Sequence, residues 1–453
     1  MNKRIASIDI LRAIAIIGMI FCANIGFGSG LPAWMFHAQC PPPTYAFDPS
    51  VAGITWVDLV FPFFLFSMGA AFPLAMRKRI EGGATIGAIT LQLARRWVAL
   101  VLFALVIGNS SYNIHSSARP EWQVLLFLIA VWAAMFLSLV RTEKRYVNIA
   151  GFLLICILAA ALKFWFGIPL DKGTSDIIIM ILATTAFWGG LIWVLTRDDI
   201  RLRWLVILFV AAVKAVDSYI PELTSAIHVP GCISWLFSFG WLQYLLIVLP
   251  GSIAGDMILK HSRSGKSLTF SCRSVAAGFI ALAAVLVQLW GLYLRVVLID
   301  FIASAVLAVG FTVLAWKDRN VYSRTGLTGF ALLLAGIAFD PIDGGIAKDY
   351  CNLSYLFTTC GMALLTTCFL LLLEFHFHFT SKFLSGIGQN PMVAYTVTSF
   401  AIYPVLTLLG ISPLLYSLAS GNQFWGIVQG LIFTSLMMCA TFLCTRLKLF
   451  WKS

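Results

Sequence analysis

The sequence predicts an all-α, polytopic integral membrane protein: one helical bundle of about 12–14 transmembrane helices, with residues 1–453 forming a single multi-pass domain. Three observations carry this. Apolar residues make up 60% of the chain and charged residues only 11%, whereas a soluble domain is nearer half apolar and a quarter charged. Mean hydropathy is +0.93. Apolar windows approaching the roughly 20 residues that span a bilayer recur along the chain, and no spacer between them is large enough for a separate soluble domain.

In order, the windows lie at roughly 6–27, 54–75, 88–108, 122–140, 147–166, 176–196, 204–218, 237–258, 271–292, 296–316, 325–339, 353–375, 390–410 and 425–446. The first has a basic start and no small-residue cleavage site before its apolar run reaches Asn24, so it reads as a retained helix. Windows 204–218 and 325–339 are short, and Arg295 splits one long apolar stretch into a pair. Basic residues concentrate in alternate connections: Lys3 and Arg4; Arg77, Lys78 and Arg79; Arg141, Lys144 and Arg145; Arg197, Arg201 and Arg203; Lys260, Arg263 and Lys266; Lys317, Arg319 and Arg324; Lys382; Arg446, Lys448 and Lys452. This positive-inside pattern accounts for the net charge of +12 without a nucleic-acid partner and predicts cytoplasmic termini. The expected surroundings are membrane lipids, and a homodimer stays open.

On this topology the outer connections are 24–58, 109–121, 218–235, 340–352 and 411–424. The first four are rich in Gly, Pro, Asn and Ser, which favours irregular backbone. At membrane depth such backbone must line a cavity or be buried in protein, so several on one face predict an outer vestibule. The ten cysteines show no CxxC pair and no metal-ligand spacing. Most read as small core residues, while Cys40, Cys232 and Cys351 fall on the outer side, where a disulfide is permitted but not implied.

The connection after Asn24 contains His37, and the next helix opens with Asp58. An imidazole suits proton transfer near neutral pH, and a carboxylate can fix its tautomer. Spacing alone favours a loop histidine that only hydrogen-bonds and an aspartate that caps its helix. Asn24 can offer an amide to a developing oxyanion or merely close its helix before Gly26. Asp9 and Arg12 are three apart and share a helix face, as an ion pair or as an anion site; Arg95 and Arg96 read the same way, against plain positive-inside charge. Lys163, Lys214, Asp256 and Asp300 fall in or near apolar windows, where ionisable groups suggest function unless they snorkel. Lys348 and Ser354 could hold a substrate carboxylate or hydroxyl, or be a solvated lysine and a helix-start serine. Gly388, Gln389, Asn390 and Pro391 open a helix whose N-terminus could accept phosphate. Walker, GxSxG and HExxH motifs are absent from the sequence.

RIASIDILRAIAIIGMIF, then Asn24, FHAQ and ITWVDLVFPFFLFSMGAAFPLAM, resembles the heparan-α-glucosaminide N-acetyltransferase family of transmembrane acetyltransferases, in a bacterial-type form. LPGSIAGD, the Lys348–Tyr355 stretch and GIGQNPMVAYTV resemble its second half. The ninth and tenth windows look additional to its animal members, and Pro120–Leu125 lacks an arginine that members often carry at that place. The resemblance implies an inner-membrane enzyme that takes acetyl-CoA on the cytoplasmic side and acetylates an acceptor outside, with no metal. It assigns catalysis to His37, with Asp58 and Asn24 beside it, and turns the reading of His37 from structural to catalytic.

The chain is therefore expected to be an acetyl-CoA-dependent N- or O-acetyltransferase. Arg12, Arg95 and Arg96, with Asp9 and Asn390, are expected at the CoA end. Lys348, Ser354, Trp34 and Trp56 are expected at the acceptor end, where the aromatic faces suit a glycan or amino sugar, although an interfacial aromatic belt explains them as well. The rival class is a secondary transporter of a small polar or anionic solute.

Overall fold

The computed structural model describes residues 5–41, 43–114, 118–168, 170–220, 238–264, 268, 270–317 and 320–451. Most of the outer connection 218–235, with Cys232, lies outside the described residues, as do part of 109–121 and Lys3, Arg4, Lys266, Arg319 and Lys452. The chain is all-helical. Its long helices are α1 (Ala6–Asn24), α2 (Val60–Glu81), α3 (Ile86–Gly108), α4 (Glu121–Leu139), α5 (Arg145–Phe164), α6 (Ile177–Thr196) and α7 (Ile200–Tyr219). They continue as α8 (Leu245–Arg263), α9 (Cys272–Tyr293), α10 (Val297–Ala315), α11 (Val321–Phe339), α12 (Leu353–Phe375), α13 (Pro391–Leu408) and α14 (Gln423–Arg446). Among the described residues, 13 helices are long and apolar enough to cross a membrane, which makes this a polytopic membrane bundle. The long helix outside that set is α7. It is a full helix and not the short stretch 204–218, and Arg201, Arg203, Lys214 and Asp217 lower its apolarity. Arg203 does not lie in a connection as its charge suggested; it is a fully buried α7 residue.

The chain divides into two compact units, residues 1–15, 32–93 and 184–381, and residues 16–31, 94–183 and 382–453. In the first unit α2 lies directly on α8. A Cβ on Gly69 would meet the Val248 carbonyl oxygen at 2.0 Å, and one on Gly251 would meet that of Phe66 at 2.3 Å. In lipid, where apolar side chains gain little from leaving the solvent, such backbone contact is how helices associate. Glu374, near the end of α12, accepts from the N–H groups of Ala6 and Ser7 at 2.9 and 2.7 Å, which satisfies two donors at the start of α1. Arg263 at the end of α8 grips Glu81 at the end of α2 at 2.5 and 2.9 Å. The opposite ends of α2, α11 and α12 are thereby left to carry the site.

In the second unit the buried side chain of Asn109 organises the connection before α6. Its Nδ2 donates to the Asp171 carbonyl at 2.9 Å, and its Oδ1 accepts from Asp171 N at 3.2 Å and from Thr174 Oγ1 at 2.6 Å. Single π-helical turns occur at Asn109–Asn113 and Thr398–Ile402, a feature that often accompanies functional sites.

Candidate functional site

The sequence Thr55-Trp-Val-Asp58 folds as a capping box at the head of α2. Thr55 Oγ1 accepts from Val57 N at 3.2 Å, and Asp58 Oδ2 accepts from Thr55 N at 2.9 Å and from Ala38 N at 3.3 Å. That occupies one carboxylate oxygen. The other, Oδ1, lies 2.6 Å from Nδ1 of His37. Asp58 thus both caps its helix, through Oδ2, and holds the His37 ring, through Oδ1. Tyr355, near the start of α12, donates its hydroxyl to the Asp58 carbonyl at 2.8 Å and ties the turn to that helix.

Asp58 is fully buried, whereas the His37 side chain keeps 35% of its surface. A carboxylate only accepts, so Nδ1 must carry the hydrogen in that pair, which leaves the lone pair of a neutral ring on Nε2. Lys348 completes the cluster. Its Nζ is 3.2 Å from Nδ1 and 3.4 Å from Nε2 of His37, and 4.0 Å from Asp58 Oδ1. Near-equal distances to both ring nitrogens put the Lys348 ammonium beside the imidazole, as a charge within reach of Nε2. Cys40, a turn away from His37, is a poor nucleophile, because burial, reinforced by Asp58, raises its thiol pKa. Cys351 is buried, and its thiol is pushed up to about 12 by that burial. Both are free thiols.

The other expected residues are placed as follows. Asn24 belongs to the second unit, where its Nδ2 donates to the Ile20 carbonyl at 2.7 Å. There it lines a cavity of about 230 Å³ with Ser111, Thr398, Ser399, Tyr403 and Tyr416. Arg12 holds α2, with Nε 3.2 Å from Ser67 Oγ, Nη2 2.9 Å from the Ser67 carbonyl and Nη1 3.8 Å from buried Asp9. Arg95 is exposed and Arg96 half-buried on α3, in the second unit. Asn390 is buried and donates to the Leu449 carbonyl at 2.8 Å, so it fastens the segment after α14. Ser354 is buried within the first turn of α12, its hydroxyl donating to Asn352 at 3.0 Å. Trp34 is 51% exposed and Trp56 half-buried. Lys163 reaches over Phe164 at 5.6 Å, and Lys214 is buried, 4.0 Å from Asp217. Asp300 accepts from Gln288 at 3.1 Å, and Asp256 pairs with Arg203 at 2.6 Å.

Sequence reasoning missed Tyr355 as the support of Asp58 and Arg203 as the partner of Asp256. The Thr-x-x-Asp capping box was readable as a local motif. A hydroxyl or guanidinium that finds its partner across helices leaves no local trace.

Fold and site together define a polytopic helical membrane protein with a buried carboxylate, an open imidazole and an ammonium clustered at one end of its first unit. The profile of the family described as "Domain of unknown function (DUF5009)" matches residues 4–258, and the chain belongs to that family. It is also similar to heparan-alpha-glucosaminide N-acetyltransferase of Homo sapiens, 31% identical over 109 residues, which are 24% of this chain and 14% of that protein. The matched segment thus spans about one-seventh of the human protein. The chain is distantly related to a transferase, and its fold fits a membrane acyltransferase.

Proposed function

We propose that the protein moves an acetyl group from acetyl-CoA to an amine or hydroxyl of a sugar acceptor across the bacterial inner membrane, with both its termini in the cytoplasm. The observation that carries this reading is the 2.6 Å contact between His37 Nδ1 and Asp58 Oδ1, which leaves the lone pair of a neutral ring on Nε2, on a side chain that is one-third exposed. The human relative's name and the shared stretch of sequence support the group transferred.

In this reading Nε2 takes the proton of the acceptor N–H or O–H as that atom attacks the thioester carbonyl. The carbon–sulfur bond breaks, and the departing CoA thiolate takes the proton back from the imidazolium. Asp58 holds the ring in the competent tautomer and stabilises its charged form. The Lys348 ammonium, 3.4 Å from Nε2, stabilises the oxyanion that forms beside that nitrogen. Exposed Trp34 offers the acceptor a stacking face. Arg95 is the exposed cation for the CoA phosphates, whereas Arg12 is committed to Ser67 and Asp9.

The test is thermal unfolding of the detergent-solubilised protein against acetyl-CoA, with acetate and ATP as controls. Binding to the folded state alone stabilises it by about 2.7 kcal/mol at a ligand concentration 100 times Kd. A rise in Tm with acetyl-CoA and not with the controls is expected. A rise with a small polar or anionic solute and none with acetyl-CoA overturns the reading in favour of a secondary transporter.

A further inference from the structure

The tight turn between α9 and α10 carries Arg295 at φ 59°, a left-handed conformation that a non-glycine residue keeps only where its surroundings fix it. Its guanidinium forks onto Asp340 just past α11, with Nη1 to Oδ2 at 2.7 Å and Nη2 to Oδ1 at 2.9 Å. Asp340 is 4% exposed and does more than pair. Its Oδ2 accepts from Ile346 N at 2.7 Å, and its carbonyl accepts from Gly345 N at 2.8 Å. Ile346 in turn accepts through its carbonyl from Gly53 N at 2.8 Å, on the loop that joins His37 to Asp58. Two residues after Ile346 comes Lys348.

The three segments meet with no room to spare. Gly345 has φ +114°, and a Cβ there would lie 2.5 Å from Ala52 Cβ and 3.2 Å from Arg295 Nη2. Gly53 has φ +130°, and a Cβ there would lie 3.1 Å from the carbonyl oxygen of Leu292 in the last turn of α9. The fork thus holds the carboxylate that anchors Ile346 N, while Asn352 fastens the same loop through the Gly345 carbonyl at 2.7 Å and Ala347 N at 3.3 Å. Lysine cannot replace this fork, because an ammonium is a point donor and cannot engage both carboxylate oxygens in a plane.

We propose that Arg295 is a positioning residue: by clamping Asp340 it sets the 340–352 loop so that the Lys348 ammonium stands beside the His37 ring. The α9–α10 hairpin then serves as a brace behind the site. The kinetic consequence rests on the acyltransferase reading; the placement of Lys348 does not.

The experiment uses the full chain with Arg295→Gly, which keeps the left-handed backbone free of strain and removes the fork, and with Asp340→Asn. The first readout needs no turnover: labelling of Lys348 by a succinimidyl ester, read by peptide mass spectrometry relative to exposed Lys78. Both variants are expected to label Lys348 severalfold faster than wild type. The second readout is acetyl transfer. Arg295→Gly is expected to lower kcat roughly tenfold with KM little changed, since misplacing a catalytic group costs rate more than binding. Lys348→Ala is expected to do the same, and the double variant is expected to be no slower than Lys348→Ala alone. Unchanged Lys348 labelling in both variants, or losses that multiply in the double variant, overturns the proposal. If the wild type transfers no acetyl group, the acyltransferase reading falls while the labelling still decides the brace. If Arg295→Gly loses its melting transition, Arg295→Lys, which keeps the charge without the fork, gives the same decision.

Discussion

Two cation–carboxylate clusters in the first unit use similar residues and end differently. At Arg203 every guanidinium nitrogen is occupied: Nε by Thr196 Oγ1 at 3.1 Å, Nη1 by Asp256 Oδ2 at 2.6 Å and Ser252 Oγ at 3.3 Å, and Nη2 by the Thr196 carbonyl at 3.2 Å. Trp193 Nε1 adds a donor to the same Asp256 oxygen at 3.0 Å. Arg203 has no exposed surface at all. At His37 the carboxylate is fully buried where Asp256 keeps 13% of its side-chain surface, but the imidazole keeps 35% and the Lys348 side chain 25% of theirs. The first cluster answers the cost of a charge in the bilayer by closing on itself. The second keeps part of its imidazole and of its lysine side chain exposed.

The comparison breaks first at Arg203. Arg203→Ala is expected to destabilise the fold by about 3–5 kcal/mol, because it strands a largely buried carboxylate. Acetyl transfer per folded molecule is expected to stay near wild type. The Arg203→Met, Asp256→Leu double variant is expected to recover most of that stability, since a closed pair can be replaced by packing. Chemical denaturation alongside turnover checks this, and a large loss of turnover in the folded double variant would make the closed cluster functional too.

Asp58→Asn sharpens the other side. Asparagine keeps an oxygen for the Thr55 N–H, so the capping box survives. Its amide now donates toward Nδ1, which moves the ring hydrogen to Nε2 and removes the base. Turnover is expected to fall about 100-fold, or roughly 2.7 kcal/mol of barrier, with Tm nearly unchanged. A fall in Tm without a matching loss of turnover would reduce Asp58 to a cap.

The helices were legible because apolarity over a span is a local property of the chain; even α7 was visible, though its charges made it look short. The His37–Asp58 pair was legible as far as a loop imidazole and a helix-head carboxylate can be, since 21 residues separate them. Lys348 was visible only as an outer lysine. Its place beside the imidazole is set 311 residues away by the packing of α12 on the head of α2 and by the Arg295–Asp340 fork. Arg203 was misplaced for the same reason in reverse, because a basic residue near a helix end reads as a connection charge until its partner on another helix is seen. Asn390 looked like a helix opener, and the backbone position is one, but its amide is held by the Leu449 carbonyl.

In the proposed reaction the partly exposed imidazole of His37 carries acetyl transfer. The most direct measurement is CoA release and acceptor acetylation by the purified protein in lipid, with acetyl-CoA and a panel of hexosamines, comparing wild type with His37→Ala. Acceptor-dependent release by the wild type is expected, falling by about 10³-fold or more in His37→Ala at unchanged Tm. Equal turnover by the two proteins would contradict the account.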